Sequence, residues 1–142
     1  MTSSTIVKTV MFAASRETVW GFLTEKDKLA AWFHPAEADL AEGKEFALLS
    51  VQQDGGPAEK ICWGSVLEMV CPSKLKYTFT IKPLGGHMTT VTWILEEVHG
   101  GTKLTLEHEG FDAAGDGALG LLTAIDAGWD RHFGHLRELV AA

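Results

Sequence analysis

The chain has 142 residues, the usual size of one domain, and its 46% hydrophobic and 22% charged residues are typical of a globular protein. With 19 acidic residues against 12 Lys and Arg, its net charge of −7 argues against nucleic acid as a partner. Two cysteines, no visible signal peptide and no apolar run of the ~20 residues that span a bilayer predict one cytoplasmic domain over residues 1–142, without a membrane span.

The first predicted elements are a strand and two short helices. Residues 5–12 are β-branched and apolar, which is typical of a strand. Ser15 offers an N-cap hydroxyl, and apolar residues at helical spacing follow it, so a helix is expected over residues 16–24. A second helix is expected over residues 26–32, with Trp32 on its apolar side.

Between residues 37 and 110 apolar and polar residues alternate, which indicates strands with one buried face. The clearest alternation covers residues 74–82, and it recurs in 89–97 and 102–109. Short connections join antiparallel neighbours, because parallel strands need a crossover of a dozen or more residues. Turns are predicted from Gly, Pro and Ser at residues 55–57, 71–73, 85–86 and 100–101.

Helical spacing returns near residue 117 and continues to residue 140, with Gly115 and Asp116 expected at its start. This helix is roughly 35 Å long at 1.5 Å per residue, and only it is long enough to cover the apolar face of a twisted sheet. The order of elements predicts an α+β helix-grip fold, in which a curved antiparallel sheet wraps around the long C-terminal helix. Space between sheet and helix, closed by the two short helices, can hold a ligand. The apolar stripe of the helix is Leu122, Ile125, Trp129, Phe133, Leu136 and Val140.

Several stretches resemble a known family. "VMFAASRETVWGFLTEKDKLAAWF" is similar to the opening of the SRPBCC (START/Bet v 1-like) superfamily, in particular its subfamily named for the activator of Hsp90 ATPase. "WGSVLEMVCPSKLKYTF", "VTWILEEVHGGTKLTLEHEGF" and Gly128-Trp129 with "FGHLRELV" extend the resemblance over nearly the whole chain. It implies the helix-grip fold and an internal cavity. It does not determine an activity, because the superfamily includes lipid and steroid carriers, polyketide cyclases and resistance proteins.

Aromatic and apolar side chains on the predicted inner faces are the candidates for binding a ligand. Each of them is open to a simpler interpretation as core packing. Taken as a set, and together with the cavity that the resemblance implies, they are expected to line a binding site for an apolar or aromatic small molecule. The candidate cavity residues are Trp32, Trp63, Tyr77, Phe79, Trp93, His108, Leu122, Ile125 and Trp129.

Polar residues on the same faces leave two interpretations open. An inward His108 can hydrogen-bond a ligand or act as an acid–base group, or it can be a core histidine with satisfied nitrogens. Tyr77, the only tyrosine, can place its hydroxyl in the same cavity. Asp126 and Asp130 share a helix face, either as a solvated pair or with a buried carboxylate.

Metal and covalent chemistry have little support in the sequence. His132 and His135 are three residues apart, but a third ligand is hard to assemble, so no metal is expected. Cys62 is expected to be inert and to lie on the other side of its strand from Trp63. No phosphate-binding, dinucleotide-binding or nucleophile-elbow motif is present, so neither a cofactor nor ATPase activity is expected.

The leading hypothesis is binding of an apolar or aromatic small molecule in the cavity. A cyclase, dehydratase or hydrolase acting on a polyketide-like substrate is the first alternative, and it depends on His108, Tyr77 and Asp126. A co-chaperone-like interaction domain is the second. A homodimer is compatible with all three.

Overall fold

The computed structural model describes residues 5–50, 59–81, 87–111 and 118–140. Within these ranges the chain forms six strands and three helices. Their bounds are β1 Ile6–Phe12, α1 Arg16–Thr24, α2 Lys26–Trp32, β2 Glu45–Leu49, β3 Lys60–Val70, β4 Lys74–Ile81, β5 Thr89–Val98, β6 Gly101–Glu109 and α3 Ala118–Val140. The turns predicted at 55–57 and 85–86, and the helix start predicted at Gly115 and Asp116, lie outside the described residues.

The strands form one curved antiparallel sheet in the order β1-β6-β5-β4-β3-β2. β1 and β6 pair side by side, with Ile6 opposite His108, so the sheet brings distant parts of the chain together. Pairing is irregular between Leu48 and Leu49 in β2 and between Val66 and Glu68 in β3, and such irregularities bend a strand. The α+β helix-grip architecture predicted from the sequence is confirmed.

The two short helices begin where the local sequence predicts. The Ser15 hydroxyl accepts a hydrogen bond from the Thr18 backbone N–H at 3.2 Å, which caps α1. The indole N–H of Trp32, at the end of α2, donates to the Phe22 carbonyl at 2.7 Å. This bond joins the two helices and fixes the position of the Trp32 ring in the core.

Aromatic rings occupy the centre of the space between the sheet and α3. Trp93 of β5 and Trp129 of α3 make an edge-to-face contact, with ring centroids 5.4 Å apart. Phe133 stacks on Trp32 at 6.4 Å and meets Trp93 edge-on at 5.9 Å. In the described part of the chain these rings therefore fill the centre of the space between the sheet and α3.

The side-chain orientation in β3 differs from the prediction. Cys62 and Val66 are buried on the inner face of the sheet, and Trp63 lies on the opposite face. The inward orientation predicted for Trp63 was wrong, because Cys62 takes the inward position opposite the buried Leu48 of β2. Alternation with period two then directs the neighbouring tryptophan away from α3.

An ion-pair cluster joins the first strand to the long helix. Lys8 Nζ of β1 lies 2.8 Å from an Asp126 carboxylate oxygen and 3.1 Å from one of Asp130. The side chains of Asp126 and Asp130 are about half exposed, at 48% and 61%, so the two carboxylates lie at the surface of the protein. No helix in the described part of the chain is long and apolar enough to cross a membrane.

Candidate ligand pocket

His108 of β6 is fully buried and hydrogen-bonded at both ring nitrogens. The indole N–H of Trp129 donates to Nδ1 at 3.1 Å, and Nε2 lies 2.7 Å from the Thr89 hydroxyl. The Thr89 hydroxyl in turn donates to the Phe79 carbonyl, so it must accept from His108. His108 is therefore the Nε2–H tautomer, with no nitrogen left for a ligand.

Burial also keeps this imidazole neutral. Desolvation lowers the pKa of His108 to about 3, because a charge would have to be placed among apolar side chains. An acid–base role at neutral pH needs a group that titrates nearby and reaches the substrate. His108 meets neither condition, and its geometry is that of a satisfied core histidine.

Tyr77 is likewise part of the packed core. Its hydroxyl accepts a hydrogen bond from the Trp93 indole N–H at 2.9 Å, and its ring packs against Phe46. Burial raises the pKa of Tyr77, so the phenol stays protonated. These contacts join β2, β4 and β5 across the inner face of the sheet.

A small apolar pocket of about 140 Å³ lies beside this core, where α3 passes over β3 and β4. Phe33, which follows α2, stacks on Trp129 at 5.3 Å and forms one wall. The side chains of β4 and α3 form the others. The lining residues are Phe33, His34, Cys62, Phe79, Ile81, Ile125, Gly128, Trp129 and His132.

Three polar groups line this pocket, and their surroundings keep all of them uncharged. Burial lowers the pKa of His34 and lowers that of His132 to about 4. Burial raises the pKa of the Cys62 thiol to about 12. The imidazole rings of His34 and His132 meet edge-on, with centroids 5.2 Å apart. The pocket therefore offers neutral hydrogen-bonding groups among aromatic walls.

The structure divides the predicted cavity residues into separate groups. Phe79, Ile125 and Trp129 line the pocket. Leu122 lines a shallow groove beside β1, and Trp63 lines a larger open groove of about 640 Å³ on the outer face of the sheet. The residues placed in the packed core instead are Trp32, Tyr77, Trp93 and His108.

Several pocket residues were not among the predicted set, although the sequence carries a signal for some of them. Gly128 and His132 lie three and seven residues after Ile125, so they share its helix face. Ile81 lies two residues after Phe79 and shares its strand face. Phe33 and His34 follow the end of α2, where no periodic pattern exists to predict their direction.

The metal-binding alternative depended on His132 and His135. His132 Nδ1 lies 3.3 Å from the Trp32 carbonyl oxygen, whereas His135 is exposed. Across residues 5–50, 59–81, 87–111 and 118–140, no three His, Cys, Asp or Glu residues are arranged to hold a metal ion.

A curved antiparallel sheet closed over one long C-terminal helix, with a pocket between them, defines a helix-grip domain. The family model described as activator of Hsp90 ATPase homolog 1-like protein matches residues 13–141, and the chain belongs to this family. A comparison with curated proteins finds no match.

Solved structures share the fold at low sequence identity. MLL2253 from Mesorhizobium loti is 24% identical, with 95% of each chain covered and a TM-score of 0.77. CalU16 from Micromonospora echinospora is 24% identical over 96% of this chain and 76% of its own, with a TM-score of 0.74. PFC0360w, an Hsp90 activator from Plasmodium falciparum, is 23% identical over 74% of this chain and 71% of its own, with a TM-score of 0.61.

Proposed function

We propose that this chain is a single small-molecule binding domain whose ligand is a compact apolar or aromatic molecule held in the pocket beside Trp129. The observation that carries the proposal is the combination of an aromatic lining with a volume of about 140 Å³. An apolar cavity of ~150 Å³ engineered in another protein binds benzene, so this volume suits one aromatic ring. Pockets for drug-sized ligands hold ~300 Å³ or more, so the proposal does not extend to lipids or steroids.

Toluene binding to the purified protein, followed by ligand-observed NMR and by thermal unfolding, tests the proposal. Gly128→Leu should abolish binding, because Gly128 lines the pocket and the nearest atom to an added Cβ is Arg131 Nη2 at 3.8 Å. Gly134→Leu is the matched control, since Gly134 is exposed on the same helix with open space around it. Absence of binding to the unmodified protein, or equal binding to both variants, would contradict the proposal.

The enzyme alternative has less support than ligand binding. His108 and Tyr77 are hydrogen-bonded within the core, and Asp126 is paired with Lys8 at the surface. None of these three lines the pocket. The groups on which that alternative depends therefore do not converge on a space for a substrate.

The co-chaperone-like alternative is supported by family membership and by the fold that the chain shares with the Hsp90 activator PFC0360w. Size-exclusion chromatography of the chain mixed with Hsp90 tests it. A stoichiometric complex would support this alternative, and separate elution of the two proteins at micromolar concentration would contradict it.

A further inference from the structure

We propose that the pocket selects one-ring aromatic molecules that carry a hydrogen-bond donor, as phenols and anilines do, and that Nε2 of His132 accepts that hydrogen bond. This inference rests on the proposed function and names the ligand class of the same pocket. It comes from the position of one imidazole between a backbone carbonyl and the pocket.

The tautomer of His132 follows from its backbone contact. Nδ1 lies 3.3 Å from the Trp32 carbonyl oxygen, and a carbonyl oxygen can only accept a hydrogen bond. Nδ1 therefore carries the proton and donates. Because burial lowers the pKa of His132 to about 4, the ring is neutral at pH 7. The second nitrogen, Nε2, is left as an acceptor with a free lone pair.

Nε2 is available to a ligand. The described part of the protein supplies a hydrogen bond to Nδ1 of His132 and ring contacts to its imidazole, but no donor to Nε2. In that part of the chain no buried side-chain nitrogen or oxygen lacks a partner, so Nε2 is not sealed from solvent. His132 lines the pocket, and its ring meets Phe33 edge-on at 4.7 Å.

The surroundings favour a neutral donor over an anion. Both pocket histidines are uncharged at neutral pH, so neither supplies a positive charge to balance a buried carboxylate. The chain's net charge of −7 also repels anions at long range. A hydroxyl or amino group on an aromatic ring can meet Nε2 while the ring contacts Phe33 and Trp129.

The experiment compares phenol with toluene, which are similar in size and differ in the donor. Dissociation constants for both are measured by titration calorimetry on the unmodified protein and on His132→Phe and His34→Phe, which alter the pocket lining. His135→Phe is the control on the exposed face of α3. In the unmodified protein the dissociation constant of toluene should exceed that of phenol. We expect the ratio of the two dissociation constants, toluene to phenol, to fall about fivefold in His132→Phe, as loss of one net hydrogen bond to phenol predicts. The ratio should stay unchanged in His135→Phe.

A second measurement on the unmodified protein does not depend on the folding of any variant. The ¹⁵N resonance of His132 Nε2 should lie further upfield in the phenol complex than in the toluene complex, because only phenol donates a hydrogen bond to it. An Nε2 resonance at the same position in the phenol and toluene complexes would overturn the proposal.

The outcomes separate this inference from the proposed function. Toluene binding with an unchanged ratio in His132→Phe would overturn the inference and leave the proposed function intact. The same holds if the ratio falls in His34→Phe and not in His132→Phe, since His34 would then be the acceptor. Failure of the unmodified protein to bind toluene or phenol would overturn both.

Discussion

The indole Nε1 of Trp129 on α3 donates a hydrogen bond to Nδ1 of His108 on β6, across 3.1 Å in the buried core. This bond links the helix to the sheet at the centre of the fold. It commits His108 to one tautomer and places the Trp129 ring where it forms a wall of the pocket. One hydrogen bond thus connects the packed core to the candidate site.

The stability that His108 contributes should depend on pH. Its pKa is about 3 in the folded chain and ~6.5 in the unfolded chain, so between these values the unfolded chain binds a proton that the folded chain excludes. The contribution is therefore fully present above pH ~6.5 and is lost by about 1.4 kcal/mol per pH unit as the pH falls towards 3. Urea unfolding of the unmodified protein and of His108→Leu, measured at a series of pH values, should show the difference between them shrinking below pH ~6.5. A difference that is constant with pH would contradict the prediction.

Gly64 should tolerate no side chain. A Cβ at this position would lie 1.8 Å from the Thr78 carbonyl oxygen of the neighbouring strand, so Gly64→Ala must push β3 away from β4. We expect a loss of at least about 3 kcal/mol in the free energy of unfolding, or no folded protein. Gly120→Ala, at an exposed position of α3, is the control. It meets no atom within 4 Å and should stabilise the protein by ~0.5–1 kcal/mol, because alanine favours a helix.

The two cysteines should differ strongly in reactivity. Cys71 is exposed, whereas Cys62 is buried and its pKa is raised to about 12, so roughly one Cys62 in ten thousand is a thiolate at pH 8. Iodoacetamide should modify Cys71 at least ~100-fold faster in the folded protein. Mass spectrometry of timed samples measures this, and in urea both thiols should react at similar rates. Equal rates in the folded protein would show that Cys62 is accessible.

The ion pairs of Lys8 should contribute little to the free energy of unfolding. The hydrogen bond to Asp126 raises the pKa of Lys8, but its carboxylate partners are about half exposed and screened by water. Lys8→Met should lower the free energy of unfolding by less than about 1 kcal/mol, and by less still at high salt. Lys44→Met, at an exposed position before β2, is the control. A larger, salt-independent loss would mean that Lys8 acts through the packing of its aliphatic stem.

Most of the fold could be predicted because its signals are local. The Ser15 cap and helical spacing predicted α1, and period-two alternation predicted β4 to β6 to within a residue or two at each described end. β3 was harder, since Trp63 and Cys62 can each face the core. The pairing of Cys62 with Leu48, not the hydrophobicity of either residue, decides between them.

The pocket could be predicted only in part. Trp129 and Ile125 lie on the helix stripe, and the same periodicity includes His132, which the sequence offers only as one of two histidines too few to hold a metal. The hydrogen bonds of His108 join residues from three elements, so no sequence spacing reveals them. Whether a core is filled or hollow depends on how rings from distant segments meet, and that is a property of the folded chain.

The strand order has a consequence for how the chain acquires its structure. β1 pairs with β6, which follows it by about a hundred residues, whereas the other four strand pairs of the described sheet join strands that are consecutive in the chain. The β1–β6 pairing raises the contact order of the fold, and a higher contact order slows folding. Closing so long a loop loses chain entropy before the strand pairing can compensate for it. During synthesis, β1 leaves the ribosome before β6 and α3 are made. Its apolar Val10 and Phe12, which are buried in the folded protein, therefore stay exposed to solvent until those elements have been synthesised.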